Sequence, residues 1–173
     1  MITRRALWLV CAGMVCAASL SGCGFHPVYG AGQPAQAELA AVYVNIIPNR
    51  SGQLLRQALQ AKLEGRSADV PKRYALAVSY GESVQSLDTQ ADNSTTRNRA
   101  VGTATWTLHA VDNPAVRLAG GTVRSVDGYN IIDEQFFYSD LSQDAVEHRL
   151  ADALAGEITL GLSLYFDKHL RGG

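Results

Sequence analysis

The sequence predicts an α+β fold: a two-layer sandwich in which a four-stranded mixed sheet carries two helices on one face, in the order β-α-β-β-β-α. Three observations predict it. A short β-branched alternation from residue 41 gives way to a leucine repeat every four residues; three period-two segments follow it; an apolar every-four repeat closes the chain. Strand–helix alternation is too sparse for a doubly wound sheet, and two layers suffice to bury one sheet face. The 173 residues, 47% apolar, make one domain with enough material for a core.

The first 22 residues read as a lipoprotein signal peptide. Arg4 and Arg5 form a positive start, and Ala6 to Leu20 is an uncharged apolar run of 15 residues, short for a membrane span. Leu20-Ser21-Gly22-Cys23 resembles the lipobox of bacterial lipoproteins. Small residues let the chain lie extended in a peptidase cleft, and the Cys23 thiol is the nucleophile that accepts a diacylglyceryl group. Cleavage then leaves Cys23 as an N-acylated, S-diacylglycerol-modified N-terminus, palmitate included, and those chains hold the protein on a bilayer. Gly24 in place of Asp resembles the sorting signal for the outer membrane. Cys11 and Cys16 leave with the peptide and Cys23 is acylated, so the mature chain has no thiol for a disulfide. Loss of two arginines takes the formal charge from −1 to −3. That balance argues against a general nucleic-acid binder.

Residues 23–38 read as a lipidated tether rich in glycine and proline, although Phe25, Val28 and Tyr29 are too apolar for a free linker, so part of it is expected to dock. The domain is expected over residues 39–173. Ala41 to Ile47 is the first strand, with Val42, Val44 and Ile46 on one face, and Pro48 to Gly52 ends it. Leu55, Leu59 and Leu63 then stripe a helix over residues 53–66. Arg73 to Gly81 returns to period two, as does Ala100 to Val111, where Ala104, Trp106, Leu108 and Ala110 face away from Thr103, Thr105, Thr107 and His109. The threonine face is expected to stay wet or meet a partner. Asp112-Asn113-Pro114 is a turn into the partner strand Ala115 to Val126, with a bulge or bend expected at Gly120-Gly121. Val146, Leu150, Leu154, Ile158, Leu162 and Phe166 mark a long helix from Ser142 to about Lys168, which Gly156 and Gly161 weaken locally in favour of a kink.

Chemistry-bearing motifs are scarce. The chain contains no phosphate loop, nucleophile elbow or metalloprotease helix, and its four histidines are scattered, so neither a metal site nor a cofactor other than the lipid is expected. Asp144 and His148 share a helix face as a solvent-side pair, and Asp133 and Glu134 point apart on a strand. A catalytic set is therefore not expected, and no enzyme is read here. The suggestive group is cationic. Arg97 and Arg99 share one strand face, and Arg117 and Arg124 lie on the strand that should pair with it. A guanidinium fork fits phosphate, so these four are candidate contacts for an anionic glycolipid; equally, solvated arginines guard strand edges against aggregation.

Several segments match a known family. Cys23-Gly24-Phe25-His26-Pro27-Val28-Tyr29-Gly30 resembles the start of mature lipoproteins of the LptE lipopolysaccharide-assembly family, alphaproteobacterial type. Arg50-Ser51-Gly52-Gln53-Leu54-Leu55-Arg56, Ser125-Val126-Asp127-Gly128-Tyr129-Asn130, and the helix from Asp144-Ala145 to Leu164-Tyr165-Phe166 follow in order. Asp127-Gly128 departs from the plainer strand of the family. The resemblance implies a two-layer fold and a non-enzymatic role at the periplasmic face of the outer membrane. It also implies a place as plug and assembly partner of the β-barrel LptD, which inserts lipopolysaccharide, and basic residues near the third strand as lipopolysaccharide contacts. Arg97 and Arg99 occupy a comparable position; Arg117 and Arg124 extend it by geometry. A lipoprotein accessory to an ABC-type lipid transporter is the alternative reading.

Overall fold

The computed structural model describes residues 34–64, 70–89, 95–130 and 136–171. The signal peptide, Cys23, His26, most of the tether and the Asp133-Glu134 pair lie outside the described residues. The elements run α1 (Pro34–Ala40), β1 (Val42–Val44), α2 (Arg50–Glu64), β2 (Tyr74–Thr89), β3 (Thr95–Ala110), β4 (Arg117–Asn130) and α3 (Phe136–Arg171). The sheet is mixed and four-stranded, in the order β1-β2-β3-β4. β1 lies parallel to β2, joined through α2, and the other two pairs are antiparallel. The expected architecture therefore holds, with one more helix than expected.

That helix is α1, inside the span read as tether. Proline suits a first helical position, where no intrahelical N–H is needed. Ala35 and Leu39, four apart, are buried in the main core. Its Glu38 binds the start of β2, accepting from the Arg73 guanidinium at 2.7 Å and from the Tyr74 hydroxyl at 2.9 Å. Burial, then the bond to Glu38, raises the Tyr74 pKa, since both disfavour the phenolate.

β1 is shorter than its pattern. Val42 and Val44 are buried as expected, but pairing stops at Val44, so alternation ends there. Ile46 is consequently 74% exposed and Ile47 takes the core position. Asn49, at φ 66°, turns the chain into α2. Leu55, Leu59 and Leu63 form the buried stripe of α2, which packs along α3. The ion pair of Lys62 with Asp152, 2.8 Å, and that of Arg50 with Asp144 lie on this seam. Asp144 also faces His148 at 3.7 Å, the solvent-side pair expected.

The sheet buries Leu76, Val78, Ala104, Trp106 and Leu108 beneath α3, whose Leu154, Ile158 and Leu162 are fully enclosed. α3 begins six residues before the expected start and is helical through both glycines; its 36 residues are about 54 Å long. Its buried Thr159 and Ser163 hydroxyls donate to the carbonyls four residues back, at 2.7 and 2.8 Å, which satisfies them within the helix.

The bulge lies elsewhere than expected. Leu108 pairs with Ala119 and His109 with Arg117, which leaves Leu118 as the extra residue, while Gly120 and Gly121 pair regularly with Thr107 and Trp106. Gly120 answers a close approach instead, while a Cβ on Gly121 would be in ordinary van der Waals contact with the residue opposite. The Arg117 guanidinium lies over Gly120, and the Trp106 ring lies 3.4 Å from where a Cβ of Gly121 would be.

Candidate functional site

All three helices gather on one side of the sheet, so its other face has no second layer among the described residues. That bare face follows from strand alternation. It carries Ala77, Ser79 and Gly81 from β2, the odd-numbered positions of β3, and Gly120, Thr122, Arg124, Val126 and Gly128 from β4. Thr103, Thr105 and Thr122 are exposed, and the Thr105 and Thr122 hydroxyls meet across the strands at 3.1 Å. The threonine face is wet, as the alternation predicted.

All four candidate arginines lie on this face and are exposed. The structure brings Arg97 and Arg99 together near the β2–β3 end. Arg99 sits between Gln85 on β2 and Gly128 on β4, and donates to the Gln85 side-chain oxygen at 2.8 Å. With no side chain opposite on β4, room opens beside it. Arg97, Arg99, Val126, Asp127 and Gly128 line an open depression of about 270 Å³. Beside the arginines, Val101 pairs with Val126 and is only 5% exposed, although no helix among the described residues covers this face. Two guanidinium groups next to an apolar pair suit an amphiphile whose anionic head adjoins hydrocarbon.

The structure does not gather the other two candidates into that cluster. Arg124 pairs with Thr103, four residues along β3 from Arg99, or about 13 Å. Arg117 pairs with His109, ten residues along, or about 34 Å. The expected strand pairing is right, but an antiparallel hairpin sets Arg117 beside its turn, at the far end from Arg97 and Arg99.

Sequence reasoning missed the partner of Asp127, the carboxylate among the residues that line the depression. Asp127 points to the helix side, where its Oδ2 accepts from the Arg149 guanidinium of α3 at 2.6 Å and its Oδ1 from the Gly128 amide at 2.7 Å. The bond from Arg149 holds its carboxyl below the usual range, against the opposing effect of burial. Its charge is thus engaged away from Arg97 and Arg99. A separation of 22 residues, strand to helix, leaves no local signal for this pair. Nearby, Tyr129 accepts from the Asn98 amide at 3.2 Å, which ties β4 to β3 at the same end.

Among the described residues, no group of three His, Cys, Asp or Glu side chains can hold a metal ion. Among them, too, no helix is long and apolar enough to cross a membrane.

The family model LptE, described as lipopolysaccharide-assembly, matches residues 39–160, most of the domain just described. The chain belongs to the LptE family. Solved structures agree on the fold. A lipoprotein from Caulobacter crescentus superposes with a TM-score of 0.61 at 23% identity, over 76% of this chain and 94% of that one. A minor lipoprotein from Acinetobacter baumannii gives 0.57 at 16% identity, over 71% and 90%. The rare lipoprotein B from Shewanella oneidensis gives 0.51 at 9%, over 75% and 98%. No curated protein sequence matches the chain. Membership of the LptE family gives the chain a role in lipopolysaccharide assembly at the outer membrane.

Proposed function

We propose that this LptE-family chain is the lipid-anchored plug and assembly partner of the β-barrel LptD, at the periplasmic face of the outer membrane. The observation that carries this reading is the family match over residues 39–160. The described domain suits the role physically. A wide barrel encloses an aqueous lumen, and this domain offers a helical layer on one side and a wet, arginine-bearing sheet face on the other. Cys23 carries the acyl chains in this reading. Confinement to the membrane raises the effective concentration of the chain at its partner without any new contact.

Arg97 and Arg99 take the phosphate groups of lipopolysaccharide, with the Val101–Val126 pair beside them for the adjoining hydrocarbon. Arg124 and Arg117 meet more distant charges of the same assembly. The action is binding, not bond-making.

The test is capture of the partner. A photo-crosslinker at Thr105, on the bare face, is expected to trap a barrel protein from outer-membrane extracts, identified by mass spectrometry. Recovery of an inner-membrane ABC-type transporter, or of no stable partner, would overturn the proposal.

A further inference from the structure

The two edges of the sheet differ. β1 offers only three residues at one side, which is a protected edge by brevity. β4 offers fourteen at the other, and among the described residues pairs with β3 alone. Alternate residues of an edge strand point their N–H and C=O groups outward with no ladder partner, over about 48 Å of strand here. No proline interrupts it.

The surroundings of that edge differ above and below. On the bare face, β4 presents Arg117 and Arg124, and neither forms an ion pair among the described residues. Glu82 and Asp127 both point to the helix side, and the acidic residue that the register places on the bare face, Asp88 on β2, pairs with Arg97 and lies two strands away from this edge. On the helix side, Arg149 of α3 reaches β4 through Asp127. Ala153, Leu160 and Leu164 follow Arg149 at helical spacing along the same stripe, bordered by the exposed Glu157. All three are exposed, the leucines at 40% and 54%. The edge is therefore flanked on one face by two arginines without an ion pair among the described residues, and on the other by a mainly apolar ledge.

We propose that the free edge of β4 docks one extended segment of a partner protein, a segment whose side chains alternate between acidic and apolar. Added as a fifth strand, it completes the backbone ladder. Its period of two sends every carboxylate to the arginine face and every apolar side chain under the α3 ledge. A second copy of this chain fits poorly. Antiparallel pairing of β4 with itself puts two Arg117 and two Arg124 on one continuous face, with no carboxylate between them.

The test uses the full chain in detergent and a labelled peptide of alternating glutamate and valine, with binding read by fluorescence anisotropy. The peptide is expected to bind saturably, and its lysine–valine counterpart at least about tenfold more weakly. Backbone N-methylation at alternate residues gives two isomers, one blocking the ladder and one sparing it. Only the sparing isomer is expected to bind. Arg124→Glu is expected to weaken the glutamate peptide and leave the far-UV spectrum unchanged. Equal binding of the two isomers, or of the two peptides, would overturn the proposal. So would absence of binding, which would leave the arginines as guards of the edge, or self-association of the chain that the peptide does not compete away. Neither barrel nor lipopolysaccharide is present, so the outcome is independent of the plug reading.

Discussion

The ring of Trp106 on β3 lies so close to Gly161 on α3 that a Cβ on the glycine would sit 2.9 Å from Trp106 Cζ2. The indole is wedged between this helix and Gly121 of β4, and stands between the two layers. Gly156, five residues earlier on the same helix, has open space where its Cβ would be. The two glycines therefore predict opposite responses. Gly156→Ala raises stability by about 0.5–1 kcal/mol through helix propensity. Gly161→Ala gains the same propensity but loses about 1–3 kcal/mol to overpacking against a rigid ring, for a net loss. Urea unfolding of both variants checks the sign, and stabilisation by Gly161→Ala would contradict the wedge.

The pairing of Asp127 with Arg149 predicts an acid-dependent contribution. The folded carboxyl pKa is held below its ordinary value, so the stabilisation is fully present above the unfolded pKa. It is lost as pH falls through the folded value. Wild type is expected to exceed Asp127→Asn by up to about 1 kcal/mol at neutral pH, since the pair is partly exposed. The two unfolding curves converge below about pH 4. A difference that persists at low pH would show that the ion pair is not its source.

Separation along the sheet predicts unequal roles for the four arginines. Arg97→Glu with Arg99→Glu is expected to reduce capture of lipopolysaccharide on beads by about tenfold or more at moderate salt. Arg117→Glu, about 34 Å away along β3, is expected to change capture by less than about twofold. Far-UV spectra check that each variant is folded. Equal losses would mean that the ligand spans the whole face.

Cys23→Ser predicts accumulation of the uncleaved precursor and loss of radiolabelled palmitate from the chain. Labelling of that variant at the wild-type level would remove the lipobox reading.

Local periodicity made much of the fold legible. Leu55, Leu59 and Leu63 report a helix because their spacing follows the helical turn, and Trp106 and Leu108 sit on the core side because strand side chains alternate. The misses share a different origin. Ile46 kept the strand pattern after the ladder had ended, so only pairing with β2 reveals that Ile47 is the buried one. Gly120 and Gly121 looked like a bulge, yet both pair regularly and Gly120 makes room for Arg117, a partner that only hairpin register discloses. Pro34 and its neighbours resembled a linker because a seven-residue helix draws its stability from packing more than from propensity. At the candidate site, the shared face of Arg97 and Arg99 was readable from their spacing of two. The contact of Asp127 with Arg149 was not, because it joins layers.

Glu38 also decides where tension enters the molecule. A pull arriving from the N-terminal side reaches α1 first, and is met by two side-chain bonds to Arg73 and Tyr74 together with the seating of Leu39. Because Tyr74 opens β2, these contacts hand part of that load straight to the second strand, so α1 is moored to the sheet at two points and does not hang from β1 alone.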